Sequence, residues 1–121
     1  MELTKPVGEP RVFVMGGGGF GSSAYRALQK RQIPFATGIL YENDVDLQIA
    51  RELSDHLVTA QAFEPMTEAQ FNAAWELVRR CGRILDPGAP VGTLNALNGK
   101  LLEAAAREGI PLLHAVSELP E

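Results

Sequence analysis

The chain is poor in cysteine, since Cys81 is the single one among 121 residues. It therefore cannot form an internal disulfide, and it cannot supply a thiolate cluster for zinc or an iron–sulfur centre. A lone cysteine suits a reducing compartment, and the localisation we expect is cytoplasmic. We interpret Cys81 as a small apolar residue of the core rather than as a reactive thiol.

Long hydrophobic runs and an excess of basic residues are also absent. No apolar stretch approaches the ~20 residues that span a bilayer, and Met1–Pro6 lacks the apolar segment of a signal peptide. We therefore expect no direct membrane insertion. The net charge is −4, with acidic and basic residues mixed along the chain, so nucleic acid is not an expected partner.

Short apolar runs alternate with helical patterns along the chain, which is typical of a parallel sheet covered by helices. We predict a single Rossmann-like, three-layer α/β domain with a five-stranded, mainly parallel sheet over residues 11–121. Residues 1–10 are predicted to form a linker or N-terminal arm, because they carry prolines and a glycine without a period. The predicted strands cover residues 11–15, 35–40, 56–60, 83–86 and 111–116, and the predicted helices cover residues 22–30, 44–53, 67–81 and 92–108.

The third predicted helix has recognisable signals at both ends. Thr67-Glu68-Ala69-Gln70 has the form of a capping box, in which two side chains satisfy two free backbone N–H groups. Met66 is placed to pack on Phe71 as a hydrophobic staple, and Gly82 suits the residue that ends the helix. The predicted buried stripe of this helix is Phe71, Trp75 and Val78.

The strongest functional pattern is the glycine run at residues 16–21, between the first predicted strand and the first predicted helix. It contains the G-x-G-x-x-G spacing of dinucleotide-binding turns. Without a Cβ the backbone approaches a ligand closely, and the following helix directs free N–H groups at an anion. The alternative role is a tight turn alone. The predicted ligand-binding residues here are Gly16, Gly17, Gly18, Gly19, Gly21 and Ser22.

Two further polar clusters follow predicted strands. Residues 42–44 come after the second strand, where an acidic side chain binds ribose hydroxyls in dinucleotide sites. Residues 86–95 come after the fourth strand and flank the same crevice if the sheet reverses direction after its first strand. Helix capping and turn formation are the alternative roles. The predicted ligand-binding residues of these clusters are Glu42, Asn43, Asp44, Asp86, Gly92, Thr93 and Asn95.

Catalytic and metal-binding residues are not predicted. No acid–base pair or nucleophile stands out, and we expect His56 and His114 to be packed or solvated. No Gly-Lys-Ser/Thr follows the glycine run, so the chain is not a P-loop and autonomous ATP hydrolysis is not expected.

The order of the motifs resembles that of a known accessory domain. The strings are VMGGGGFG at 14–21, IPFATGIL at 33–40, ENDVD at 42–46, AFEPM at 62–66 and PVGTLN at 90–95. Together they resemble the C-terminal extension of some bacterial and archaeal ABC-transporter ATPases of the cobalamin/iron(III)-siderophore type. The resemblance implies a regulatory or ligand-sensing domain whose partners are an ATPase core and, through it, a membrane permease. The chain lacks Walker A, Walker B and signature motifs, so the resemblance implies no ATPase activity for this chain.

From the sequence we therefore expect a binding or regulatory module that is associated with such a transporter. Its small anionic ligand is expected to lie over the glycine run. The residues do not identify the cofactor, and a nucleotide or a dinucleotide is the candidate. Two alternatives stay open, namely a small nucleotide- or dinucleotide-dependent enzyme and a purely structural or dimerisation domain. A homodimer is a candidate assembly.

Overall fold

The computed structural model describes residues 4–15, 20–41, 45–60, 67–86 and 96–119. The strands are β1 (Phe13–Met15), β2 (Ala36–Tyr41), β3 (His56–Ala60), β4 (Ile84–Leu85) and β5 (Leu112–Leu113). The helices are α1 (Phe20–Lys30), α2 (Val45–Leu53), α3 (Glu68–Cys81) and α4 (Ala96–Glu108), and a 3-10 turn covers Val116–Glu118. The five strands form one parallel sheet, which confirms the predicted Rossmann-like α/β fold.

The sheet has the strand order β3-β2-β1-β4-β5. The chain begins in the centre, builds outward through β2 and β3, and then returns to place β4 on the other side of β1. Phe13 of β1 is level with Ala36 of β2 on one side and with Ile84 of β4 on the other. The winding direction therefore reverses between β1 and β4.

Alternation along β1 divides the interior into two cores. Val12 and Val14 face α1 and α2, whereas Phe13 and Met15 face α3 and α4, since side chains of a strand point to opposite faces in turn. Each large side chain that is fully buried stabilises the fold by about 1.5–3 kcal/mol. The first core contains Val12, Val14, Ala24, Tyr25, Leu28, Ile33, Phe35, Ala50, Leu53, Leu85 and Leu119. The second contains Phe13, Met15, Ala36, Ala74, Val78, Cys81, Ile84, Leu101 and Ala105.

Helix α3 has the ends that its sequence predicts. The Gln70 backbone N–H donates to the Thr67 hydroxyl at 3.1 Å, and the Thr67 backbone N–H donates to Gln70 Oε1 at 2.9 Å. Gly82 adopts the left-handed conformation with φ 75°, and its N–H donates to the Val78 carbonyl at 2.9 Å. Met66, the predicted staple, lies outside the described residues.

The buried stripe of α3 differs in part from the prediction. Val78 is fully buried as predicted, but Phe71 and Trp75 are only partly buried and pack against the second core from its margin. Ala74 is the fully buried residue one turn before Val78. A small side chain suits this position because it lets the helix approach the sheet closely.

The last predicted strand is shorter than its sequence indicates. Only Leu112 and Leu113 pair with β4, because β4 itself has two residues. The chain then leaves the sheet, and the backbone N–H of His114 donates to the Glu118 carboxylate at 3.2 Å. Pairing with β4 therefore limits the length of this strand, although the composition of residues 111–116 favours a longer one.

Residues 4–10, the N-terminal segment, lie against the domain. Pro6 and Pro10 are buried. The Gln32 side chain donates to the Thr4 carbonyl at 3.1 Å, and the Arg80 guanidinium donates to the Glu9 carboxylate at 2.7 Å. In the described ranges, no helix combines the length and the apolar composition needed to cross a lipid bilayer.

Candidate functional site

The reversal point of the sheet lies at the carboxyl ends of β1 and β4. Val14 is level with Leu85 across these parallel strands, so Met15, the last residue of β1, and Asp86, the first residue after β4, come next to this pair. Residues 16–19 connect Met15 to α1, and residues 87–95 connect Asp86 to α4. The fold thus brings the starting points of two predicted ligand clusters together at one edge, which we call the carboxyl edge.

Most of the predicted ligand residues cannot be compared with the structure. Gly21 and Ser22 lie in the first turn of α1, and Asp86 directly follows β4. The remaining predicted residues lie outside the described part of the chain: Gly16, Gly17, Gly18, Gly19, Glu42, Asn43, Asp44, Gly92, Thr93 and Asn95.

The start of α1 has the electrostatic character that an anion site requires. The N–H groups of a first helical turn have no partner within the helix and carry the positive end of the helix dipole. The first turn of α1 contains no acidic residue, and Lys30 lies in its last turn. No carboxylate of that turn therefore competes with an external anion.

Asp86 is held at the carboxyl edge by its backbone. Its N–H donates to the Leu113 carbonyl of β5 at 2.8 Å, and the residue is half-buried. A carboxylate placed here accepts hydrogen bonds from ligand hydroxyl or amino groups.

A buried chain of hydroxyl groups crosses the interior below the carboxyl edge. Thr37 of β2 donates to the Val14 carbonyl at 2.8 Å, and the Tyr25 hydroxyl lies 2.8 Å from the Thr37 oxygen. Because the single Thr37 hydroxyl proton is already used, Tyr25 is the donor in the second bond. The Tyr25 ring also stacks on Phe35, with ring centroids 5.1 Å apart and planes 5° apart. We call Tyr25, Thr37 and the Val14 carbonyl the buried hydroxyl chain.

Sequence reasoning missed the buried hydroxyl chain, although a signal was present. Thr37 interrupts an otherwise apolar strand, and Tyr25 lies three residues before Leu28 on the buried face of the helix. A polar atom in such a place requires a partner, because an unpaired buried hydroxyl is costly. The identity of that partner depends on the pairing of β1 with β2, which local patterns do not give.

The opposite, amino edge of the sheet is closed by protein contacts. Ser54 is buried and donates to the Phe35 carbonyl at 2.6 Å, and its hydroxyl accepts from the His56 N–H at 3.1 Å. Lys5 of the N-terminal segment pairs with Asp55, and the Arg11 N–H donates to the Pro34 carbonyl at 2.9 Å. These contacts occupy polar groups that precede β2 and β3, so this edge offers little to a ligand.

Three further side chains that could react or bind a metal, those of Cys81, His56 and His114, differ in exposure. Cys81 is buried, and burial raises the pKa of its thiol to about 12, so it is protonated at neutral pH. His114 is exposed and His56 is half-buried. Among the described residues, no three His, Cys, Asp or Glu side chains come together as a metal ion would need.

The exposed side of α3 carries a groove that lies apart from the predicted ligand residues. Its volume is about 570 Å³. Arg80 in this groove is paired with Glu9, and Arg79 lies 4.0 Å from the Glu108 carboxylate. The described lining residues are Asn72, Trp75, Glu76, Arg79 and Arg80.

Comparison with known proteins corrects the family suggested by the motif order. The model of the MJ0874 family matches residues 35–120, which begin one residue before β2. The uncharacterized protein MJ0874 of Methanocaldococcus jannaschii is 28% identical over 67 residues, which are 55% of this chain and 72% of that protein. No solved structure matches the chain.

The interpretation as an accessory domain of an ABC-transporter ATPase is therefore wrong. Four of the five strings behind it contain glycine or proline, and doubly wound sheets favour such residues irrespective of family. The match over residues 35–120 shows that the chain belongs to the MJ0874 family.

Proposed function

We propose that this protein binds a small anionic ligand, with a nucleotide or dinucleotide as the first candidate, at the carboxyl edge between β1 and β4. The observation that carries the proposal is the strand order β3-β2-β1-β4-β5. Open α/β sheets bind ligands outside the carboxyl ends of their strands at the point where the strand order reverses. Here the central strand at that point leads directly into four consecutive glycines.

The chemistry of the flanking residues supports an anion as one part of the ligand. Residues 16–19 carry no side chain that would occupy the space above β1. The first turn of α1 follows, whose N–H groups have no partner within the helix and which carries no carboxylate. A phosphate or diphosphate accepts hydrogen bonds from such groups and gains from the helix dipole.

Acidic residues on both sides of the glycine run favour a ligand that also carries hydroxyl groups. Glu42 follows Tyr41 at the end of β2, and Asp86 follows Leu85 at the end of β4. Carboxylates repel a bare phosphate but accept hydrogen bonds from ribose hydroxyls. A nucleotide satisfies both requirements, whereas an inorganic anion satisfies one. A cytoplasmic location suits such a ligand and the unpaired Cys81.

The first experiment measures thermal stability and binding heat with pyrophosphate, AMP, ADP, ATP, NAD⁺ and NADP⁺. A ligand at ~100 times its Kd stabilises the folded state by about 2.7 kcal/mol. Gly18→Val is expected to abolish this stabilisation, because its branched side chain occupies the space that the ligand needs. Ala73→Val is the matched control, since residue 73 is exposed on α3 in the other helical layer. If no member of the panel binds, or if Gly18→Val binds with unchanged affinity, the proposal is contradicted.

A further inference from the structure

We propose that Tyr25 and Thr37 are positioning residues for the ligand site at the carboxyl edge, and this inference rests on the proposed function. The two side chains do not touch the ligand. Their buried hydroxyl chain fixes the first helix relative to the end of the central strand. It thereby sets where the N–H groups of the first turn of α1 point.

The position of the buried hydroxyl chain is the reason for this positioning role. Residues 16–19 are bounded by Met15 at the end of β1 and by Phe20 at the start of α1. Tyr25 lies in the second turn of α1. The last acceptor of the buried hydroxyl chain is the carbonyl of Val14, one residue before the end of β1. The buried hydroxyl chain therefore connects the two elements that precede and follow the glycine run.

The buried hydroxyl chain is also rigid. Tyr25 and Thr37 both have 0% exposure, so water does not replace either hydrogen bond. The stacked ring of Phe35 keeps the phenol ring from moving sideways. Without the Thr37 hydroxyl, the Tyr25 hydroxyl loses this buried hydrogen bond, and α1 loses a contact with the centre of the sheet.

Anion binding by backbone N–H groups depends strongly on such fixed geometry. These groups cannot adjust one by one as side chains do, because the helix moves as a unit. A binding constellation has to be held within about 0.5 Å of its productive geometry. A small change in the angle between α1 and β1 therefore weakens every N–H contact to the anion at once.

The test compares variants that remove one hydroxyl each. Tyr25→Phe and Thr37→Val delete the two members of the chain while keeping side-chain shape, and Thr37→Ser keeps the hydroxyl. Ser54→Ala is the matched control, because Ser54 is also a buried hydroxyl that donates to a main-chain carbonyl, that of Phe35 just before β2, but at the opposite edge of the sheet. Affinity for ADP and for pyrophosphate is measured calorimetrically at a temperature where every variant is folded.

We expect Tyr25→Phe and Thr37→Val to weaken ADP and pyrophosphate binding by about fivefold or more, as the loss of one net hydrogen bond would. Thr37→Ser and Ser54→Ala should bind within about twofold of the natural protein, although Ser54→Ala loses stability. In the natural protein, the proton NMR resonance of a slowly exchanging hydroxyl in the buried hydroxyl chain should also shift when ADP is added.

The outcomes separate this inference from the proposed function. If the natural protein binds ADP or pyrophosphate and Tyr25→Phe binds equally well, the chain is only structural and the inference is overturned while the proposed function stands. If the natural protein binds neither probe, the inference is overturned, and the proposed function falls with it only if no other member of the first panel binds. Should Thr37→Val fail to fold, Tyr25→Phe decides, because it keeps the aromatic ring and its packing on Phe35.

Discussion

At the scale of single residues, Gly38 shows how closely the sheet packs. It lies in the middle of β2, and a Cβ built on it would be 3.0 Å from Phe13 Cζ and 3.5 Å from Val58 Cβ. Phe13 belongs to the second core and has 0% exposure, so its ring has little freedom to withdraw. The glycine thus allows an aromatic ring of the neighbouring strand to lie against the backbone of β2.

We predict that Gly38→Ala destabilises the protein by about 1–3 kcal/mol, the usual cost of overpacking a buried site. Urea denaturation would measure this free energy of unfolding. The control is the same substitution in a Phe13→Leu background, where the shorter side chain leaves room for the added methyl group. Equal costs in the two backgrounds would show that contact with Phe13 is not the cause.

At the scale of elements, α3 is the helix whose ends depend most clearly on local sequence. Its capping box joins Thr67 and Gln70 by two reciprocal hydrogen bonds, and Gly82 ends it in the left-handed conformation. Every partner lies within four residues along the chain. Such features follow from the order of amino acids alone, so both ends of this helix were predictable.

Features that join distant parts of the chain were not predictable in the same way. The length of β5 depends on its pairing with the two-residue strand β4. The partner of Thr37 depends on the register of β2 against β1. For the candidate site, the glycine run and Asp86 follow from motifs, whereas the role of Tyr25 follows only from tertiary contacts. Short turn motifs, which many doubly wound domains share, also gave the wrong family.

We predict that Thr67→Ala lowers the stability of the protein by about 1 kcal/mol, because the N–H of Gln70 loses its acceptor and the box loses its reciprocal bond. Thr67→Ser keeps the hydroxyl and should lose only a few tenths of that amount. Both values come from urea denaturation at neutral pH. If the serine variant is as unstable as the alanine variant, the methyl group rather than the hydrogen bond stabilises the start of α3.

At the scale of the whole molecule, the two edges of the sheet lie next to different parts of the chain. The carboxyl edge carries the glycine run and the candidate site, while the N-terminal segment covers part of the amino edge. Lys5 of this segment pairs with Asp55, which follows α2, and Glu9 pairs with Arg80 of α3. The segment therefore connects the two helical layers across the amino end of the sheet.

The ion pairs of the N-terminal segment predict a pH-dependent contact. A hydrogen bond and charge attraction from Arg80 lower the pKa of Glu9, and a hydrogen bond from Lys5 lowers the pKa of Asp55. A carboxyl whose pKa is lower in the folded state stabilises that state above its ordinary pKa and loses this effect as the pH falls through the lowered value. Attachment of the segment should thus persist at neutral pH and weaken below about pH 4.

Hydrogen exchange at the Arg11 N–H, which donates to the Pro34 carbonyl, reports this attachment directly. We predict that Glu9→Gln combined with Asp55→Asn lowers the protection factor of this amide at pH 7, the protection factor being the intrinsic exchange rate at that pH divided by the observed rate. The double variant should also remove the further loss of protection that the natural protein shows on acidification. The melting temperature should change little, since exposed ion pairs contribute little to stability. Glu108→Gln is the matched control, because its partner Arg79 lies outside the segment. If the double variant exchanges like the natural protein, the buried prolines, Pro6 and Pro10, hold the segment and the ion pairs do not.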